Sequence, residues 1–237
     1  MTQEHKQLVE FYTELKVLLQ EDKYLAVSNY KELVPKYSDL YSFFAGQKRA
    51  DTLTFYCKQN DLQEKWVEKF LTYYADIENF KEVPSTIEKH NRSYIESHLQ
   101  SEKDYLDNIL KKVDPVINLD EEQREVVLSD EDYTLVVAGA GAGKTTTVAA
   151  KVRYLVERKG IKPEQILVIS FTNKAVGELK DKINKGLGIK CPVTTFHSAG
   201  YAILRKKDAA GKMIVDSGFM FNVINNYLKG SILEQPE

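Results

Sequence analysis

Glycine is almost missing from the first 138 of the chain's 237 residues: only Gly46 lies there, and the other eleven fall between Gly139 and Gly230. Cysteine is as scarce, since Cys57 and Cys191 stand apart without the spacing of a disulfide framework or a metal site. The composition excludes collagen-like, disulfide-rich and intrinsically disordered chains. The glycine distribution predicts a helical N-terminal part joined to a loop-rich α/β part.

Long hydrophobic runs are also missing. The longest apolar stretches, such as residues 135–138 and 166–169, are far below the roughly 20 residues that span a bilayer. Residues 1–6 lack the basic-then-apolar pattern of a secretory signal. The sequence therefore predicts a cytoplasmic protein with no membrane segment.

The chain has little net charge, −2, but its two parts differ in sign. Residues 1–132 carry 27 acidic and 17 basic side chains, a net −10, whereas residues 133–237 carry 8 and 16, a net +8. A basic excess is the footprint of a polyanion-binding surface. A solvated lysine-rich surface would have the same composition, and charge alone favours neither interpretation.

Apolar side chains recur at helical spacing through the N-terminal part, as in Leu8, Phe11, Leu15 and Leu18. Residues 84–88, Pro-Ser-Thr-Ile-Glu, have the spacing of a capping box and predict a long helix after Ser85. That helix should end at Asp114-Pro115, because the residue before a proline disfavours the helical conformation. Residues 1–115 are thus predicted to form a helical accessory region without catalytic groups.

A phosphate-binding loop follows. Residues 134–138 are typical of a short buried strand, and they lead directly into Gly-Ala-Gly-Ala-Gly-Lys-Thr at 139–145. The general pattern is Gly, four free positions and then Gly-Lys-Ser/Thr, with Ala138 here in the first position. Backbone amides and the start of the next helix would cradle phosphates, Lys144 would contact the β and γ phosphates, and Thr145 would bind Mg²⁺. The alternative, a chance glycine-rich turn, explains neither the preceding strand nor the following helix.

The pattern continues as alternating strands and helices. Residues 163–171 are predicted to be a strand, residues 175–185 a helix, and residues 193–195 a third strand that leads into another helix. Strands that alternate with helices form a parallel sheet with right-handed crossovers.

Four signatures in this order resemble the first motor domain of UvrD/Rep-like superfamily 1 DNA helicases. They are Leu-Asp-Glu-Glu-Gln-Arg at 119–124, the loop at 138–145, Ser-Phe-Thr-Asn-Lys-Ala at 170–175 with Glu178, and Thr-Phe-His-Ser at 195–198. The resemblance covers roughly residues 116–205. It implies an α/β fold in which the helical N-terminal region precedes a RecA-like P-loop NTPase sheet that is incomplete at its C-terminal end. Residues 90–107 more weakly resemble the segment ahead of the motor in helicase-IV-type proteins.

The resemblance implies that ATP is the nucleotide and that Gln123 reads the adenine edge, for which an amide is suited. The alternative is a purely structural role, in which Gln123 only completes the helix cap begun by Asp120, and both roles can coexist. The implied nucleotide-binding residues are Gln123, Ala138, Gly139, Ala140, Gly141, Ala142, Gly143, Lys144, Thr145 and Thr146. Thr146 stands where many relatives carry an arginine, so this position supplies no cation beside the base.

The resemblance also implies a path for single-stranded DNA, or a single/double-strand junction, at the ends of the parallel strands, where α/β sheets bind ligands. Its implied contacts are Phe171, Thr172, Asn173, Lys174, Thr195, Phe196 and His197. The aromatic faces could stack on bases. For Phe171 core packing beneath the loop is an equal alternative.

The implied activity is that of an ATP-dependent DNA helicase with 3′-to-5′ polarity. Residues 199–237 contain no apolar run ending in Asp-Glu, the acidic pair that ATP hydrolysis needs, and residues 206–237 look like the start of a helical insertion. We therefore expect an N-terminal fragment, or a truncated relative, that cannot hydrolyse ATP alone. The alternatives are a non-hydrolysing module whose N-terminal helices bind a protein partner, and a different phosphate-loop enzyme such as a small-molecule kinase, which gives no reason for residues 195–198.

Overall fold

The computed structural model describes residues 3–45 and 64–207. The chain divides into two compact units. The first consists of Met1–Ile166 and Glu178–Cys191, and the second of Leu167–Gly177 and the residues from Pro192 onward. Of the predicted insertion at 206–237, all but the first two residues lie outside the described part.

The N-terminal part of the first unit is helical, as predicted. Its helices are α1 (Gln3–Gln20), α2 (Val27–Tyr30), α3 (Leu33–Ala45), α4 (Glu64–Glu78), α5 (Val83–Ser101) and α6 (Lys103–Asn108), with a 3₁₀ turn at Phe80–Glu82. Helices α1, α3 and α4 pack against one another. Among the buried side chains, Phe11 meets the rings of Tyr37 and Phe80 edge-on, at centroid distances of 5.2 and 5.6 Å. These rings belong to the buried core of the N-terminal part, which also contains aliphatic side chains such as Leu8 and Ile77.

Buried Asn91 fixes the loop between α1 and α2 onto α5. Its Oδ1 accepts from the Leu25 amide at 2.8 Å, and its Nδ2 donates to the Leu25 carbonyl at 2.9 Å. Since a buried amide side chain is stable only when hydrogen-bonded, this pair of bonds gives the polar residue its place in the core.

The predicted helix cap at Ser85 is wrong. Helix α5 begins at Val83, with a proline in its first turn, and the Ser85 hydroxyl donates to the Glu82 carboxylate. Proline is favoured in the first turn because no intrahelical partner is needed there for an N–H group. The helix also ends earlier than predicted, at Ser101, and Glu102 separates it from the short α6.

Helices α7 (Glu121–Leu128) and α8 (Lys144–Glu157) also belong to the first unit, and they pack against each other. Lys151 of α8 joins them at one end, where its ammonium donates to the Val127 carbonyl at 2.9 Å and to the Ser129 carbonyl. Since the last carbonyls of a helix have no intrahelical partner, this lysine closes the C-terminal end of α7.

The strand predicted at 134–138 is not formed. These residues belong to no strand, and Leu135 and Val137 are almost fully exposed, at 89% and 88%. A strand needs a neighbour that accepts its backbone hydrogen bonds, and no described segment pairs with this one. The sequence shows the apolar segment correctly, but the prediction that it forms a strand is wrong.

The second unit contains a parallel pair of strands, β1 (Val168–Ser170) and β2 (Val193–Thr195). Its register pairs Val168 with Val193 and Ser170 with Thr195. Helix α9 (Asn173–Lys180) follows β1 and runs into a π-helical turn (Asp181–Gly186), whereas α10 (Phe196–Lys207) follows β2 directly. The predicted parallel arrangement is confirmed for these two strands, in an otherwise mostly helical chain, and the larger RecA-like sheet stays a prediction.

Within residues 3–45 and 64–207, no helix combines the length and the apolar composition that crossing a bilayer requires.

Candidate phosphate loop and sheet edge

The glycine-rich loop ends in a left-handed residue that starts α8. Gly143 has φ +74° and precedes the first residue of the helix, and Gly141 has φ +79°. Both conformations favour glycine, because a side chain there is strained. A Cβ added at Gly139 or Gly141 would meet nothing within 4 Å, so the loop has open space at these two positions, whereas at Gly143 it would lie 2.5 Å from Gln123 Nε2. Open space beside a helix N-terminus fits an anion.

Lys144, the first residue of α8, folds its ammonium back over this loop. Its Nζ donates to the Ala138 carbonyl at 2.9 Å and to the Gly139 carbonyl at 2.5 Å. The side chain is exposed to solvent. The loop therefore holds its predicted phosphate-binding cation in place through neutral carbonyl groups, which an incoming phosphate can replace as partners.

Gln123 joins the start of α7 to the loop. Its backbone N–H donates to Asp120 Oδ1 at 2.8 Å, and its Oε1 accepts from the Asp120 N–H at 3.2 Å, which confirms the predicted cap. Its Nε2 donates to the Ala142 carbonyl at 3.3 Å. The amide thus has partners in the cap and in the loop at once, and its contact with adenine stays a prediction.

Thr145 and Thr146 lie half-buried in the first turn of α8. Lys182 Nζ donates to Thr146 Oγ1 at 3.1 Å, so a cation from another part of the chain lies at this hydroxyl, while position 146 itself supplies none. Sequence reasoning missed Lys182 because it lies 36 residues from its partner and outside every recognised motif.

Thr145 stays the predicted ligand of Mg²⁺ in this loop. The described part of the chain has no cluster of three or more His, Cys, Asp or Glu side chains suited to a metal. Mg²⁺ commonly binds through one or two protein oxygens together with nucleotide phosphates and water. A single hydroxyl beside a phosphate loop therefore fits this ion, which would neutralise charge on a bound nucleotide.

In the second unit, the two predicted DNA-contact motifs begin at the same edge of the sheet. Ser170 and Thr195 are paired across β1 and β2, so Phe171 and Phe196 follow neighbouring strand ends. Both rings are exposed, at 86% and 70%. Core packing, the alternative for Phe171, is therefore wrong. Asn173, Lys174 and His197 are exposed as well.

The hydroxyls of the two threonines in these motifs form hydrogen bonds at the starts of helices. The Thr172 hydroxyl accepts from the Ala175 amide at 3.2 Å at the start of α9. Thr195 is buried, and its hydroxyl accepts from the Ser198 amide at 3.2 Å and donates to Ser198 Oγ at 3.0 Å at the start of α10. Both hydroxyls cap a helix, which orients the exposed side chains beside them.

Residues 119–227 match the family model of the UvrD/REP helicase N-terminal domain. The chain is 35% identical over 125 residues to the ATP-dependent DNA helicase PcrA of Staphylococcus aureus (strain Mu50), and 36% identical over 127 residues to the protein of the same name in Staphylococcus epidermidis. It is 35% identical over 130 residues to a probable DNA helicase II homolog of Mycoplasma capricolum. These findings confirm the resemblance deduced from the motifs.

The matches cover 49–50% of this chain but only 17–18% of each relative. The range that the family model matches contains the loop and the sheet edge.

Proposed function

We propose that this chain, which resembles UvrD/Rep-like DNA helicases over residues 119–227, binds ATP with Mg²⁺ at residues 138–146 and single-stranded DNA at the ends of β1 and β2. In the complete enzyme these sites would serve ATP-driven 3′-to-5′ movement along DNA. The observation that carries the proposal is that the side chains of Lys144, from α8, and Gln123, from α7, both donate hydrogen bonds to carbonyls of the same glycine-rich loop.

The chemistry of the loop supports nucleotide binding. The first N–H groups of α8 have no intrahelical acceptor, and together with the helix dipole they attract an anion. Lys144 adds a positive charge that already lies on the loop. Thr145 follows it and would supply the protein oxygen to Mg²⁺, whose role is to neutralise charge on the phosphates.

The chemistry of the sheet edge supports DNA binding. Phe171 and Phe196 expose large aromatic faces that no core contact uses, and such faces stack on bases without regard to their sequence. Lys174 lies exposed in the first turn of α9, where it can contact a phosphate. Residues 133–237 also carry the chain's basic excess.

We further propose that hydrolysis requires groups beyond these sites. Phosphoryl transfer to water needs an acidic residue that holds Mg²⁺ and a group that orients the water. Residues 199–237 contain no adjacent Asp-Glu pair. We therefore propose that residues 1–237 bind ATP without turning it over.

Equilibrium titration with a fluorescent ATP analogue in the presence of Mg²⁺ tests the nucleotide site. Lys144→Met should abolish measurable binding, whereas Lys112→Met, which removes the same charge from an exposed position, should bind like the wild type. Both variants should unfold at the wild-type temperature without nucleotide. Wild-type affinity in the Lys144 variant would overturn the nucleotide proposal.

Single-strand binding distinguishes a helicase part from another phosphate-loop enzyme. The affinity for an oligonucleotide should fall with salt, with a logarithmic slope of about −0.7 per phosphate contacted. Nucleotide binding without any single-strand binding at low salt would favour the small-molecule kinase alternative.

A further inference from the structure

Lys182 brings a second positive charge to the phosphate loop. It lies in the π-helical turn Asp181–Gly186, and its Nζ donates to Thr146 Oγ1 at 3.1 Å. Thr146 is the third residue of α8, two positions after Lys144. Both partners of this hydrogen bond are half-buried. Lys182 is thus held against the first turn of α8, the helix that follows the phosphate loop.

No carboxylate of the described residues forms an ion pair with Lys182. The acidic neighbour in its own turn, Asp181, pairs instead with Lys185 at 2.7 Å. A half-buried ammonium next to a neutral hydroxyl has lost part of its hydration without gaining an opposite charge. An anion at the adjacent loop would supply that charge.

The local backbone accounts for the direction of this side chain. Residues 181–186 form a π-helical turn, which has a wider hydrogen-bonding pattern than the preceding α9. Such turns occur often at functional sites because they change where side chains point. Buried Ile183 anchors the turn in the first unit, and the turn packs against α8. The position of Lys182 is therefore set by packing as well as by its hydrogen bond.

We propose that Lys182 is a nucleotide-binding residue that contacts the phosphate chain of the ligand held by residues 138–146. The inference rests on the proposed function and adds a residue that no motif contains. Lys144 approaches the loop from the start of α8, and Lys182 approaches it from the π-helical turn. The two cations together recognise the charge of a di- or triphosphate.

The test compares ATP, ADP and adenosine as competitors of a fluorescent ATP analogue. Lys182→Met should lower the affinity for ATP about tenfold, the size expected for one charge-assisted hydrogen bond, and should leave the affinity for adenosine unchanged. Lys182→Arg should keep most of the affinity. Lys185→Met is the matched control, because Lys185 lies in the same turn but is exposed and paired with Asp181, and it should bind like the wild type.

Two further measurements keep the outcomes distinct. The ATP affinity of Lys182→Met should depend less steeply on salt than that of the wild type, since one charge is missing. The unfolding temperature without nucleotide shows whether Lys182→Met is folded, and Lys182→Arg, which keeps the positive charge, remains informative if it is not.

Equal weakening of ATP and adenosine by Lys182→Met, or wild-type affinity in that variant, would overturn the role of Lys182. A failure of the proposed function itself looks different, because Lys144→Met would then bind ATP as the wild type does.

Discussion

Gln123 and Ala142 are joined by a hydrogen bond of 3.3 Å from the side-chain amide of the first residue to the carbonyl of the second. This contact links the first turn of α7 to the phosphate loop, although 19 residues separate the two positions. The same side chain closes the cap with Asp120. A single residue therefore fixes both the start of a helix and the shape of a loop.

The two roles of Gln123 can be separated by comparing Gln123→Ala with Asp120→Ala. Both substitutions remove the capping box and should lower the free energy of unfolding by about 1 kcal/mol. Only Gln123→Ala removes the contact with the loop, so only this variant should weaken ATP binding several-fold. Urea denaturation and nucleotide titration measure the two effects. Equal losses of ATP affinity in both variants would show that the cap alone matters.

Gly143 and Gly141 form a matched pair for the geometry of the loop. Alanine at either position must adopt a left-handed conformation, which costs about 1–2 kcal/mol. At Gly143 the new Cβ would also lie 2.5 Å from Gln123 Nε2, whereas at Gly141 it would meet nothing within 4 Å. Gly143→Ala should therefore lower both the stability of the protein and its affinity for ATP more than Gly141→Ala does. The added Gln123→Ala substitution should remove the difference between them, and a persistent difference would contradict this explanation.

The exposed rings of Phe171 and Phe196 should carry much of the affinity for single-stranded DNA. Each substitution to Ala should cost about 1–3 kcal/mol of binding free energy, measured by fluorescence anisotropy with an unstructured oligonucleotide. Thermal stability should change little, because both rings are exposed. Phe43→Ala, at a partly exposed aromatic residue of α3, is the control and should bind DNA normally. Unchanged DNA affinity in both sheet-edge variants would count against this edge as the DNA path.

Lys151 should make stability rise with pH. Burial lowers the pKa of Lys151 to about 8, a nearby Lys159 adds to the shift, and Asp130 opposes it. An unfolded lysine titrates near 10.4. Between these values the unfolded chain holds a proton that the folded chain has released, so this residue increases the free energy of unfolding as pH rises from 8 to 10.

The check is the difference in unfolding free energy between the wild type and Lys151→Met, measured by urea denaturation at several pH values. That difference should be constant below pH 7 and should grow in favour of the wild type by about 2 kcal/mol between pH 8 and pH 10. The buried tyrosines are present in both proteins, so their contribution to the pH dependence cancels in the difference. A difference that stays constant over this range would mean that Lys151 titrates normally.

The local features of the loop were predictable from the sequence. Asp120 and Gln123 have the spacing of a capping box, and the structure contains it. The helix predicted to begin at Lys144 does so, because the glycine before it can adopt the left-handed conformation. Such features depend on residues a few positions apart, which a sequence displays directly.

Long-range relationships were not predictable in this way. The segment at 134–138 has the composition of a strand, but strand formation depends on a partner elsewhere in the chain. The contact between Lys182 and Thr146 depends on a π-helical turn that no spacing rule indicates. The break between α5 and α6 at Glu102 was not predictable either, because apolar side chains keep their helical spacing on both sides of it.

The unpaired segment at 134–138 has a practical consequence for work with the chain in solution. Its exposed apolar side chains, together with a backbone that pairs with no described strand, are a template on which another extended backbone can add. Concentrated samples should therefore self-associate through this segment, directly ahead of the phosphate loop. Dilute conditions, or a charged residue in place of Leu135, should keep the protein monodisperse for titration.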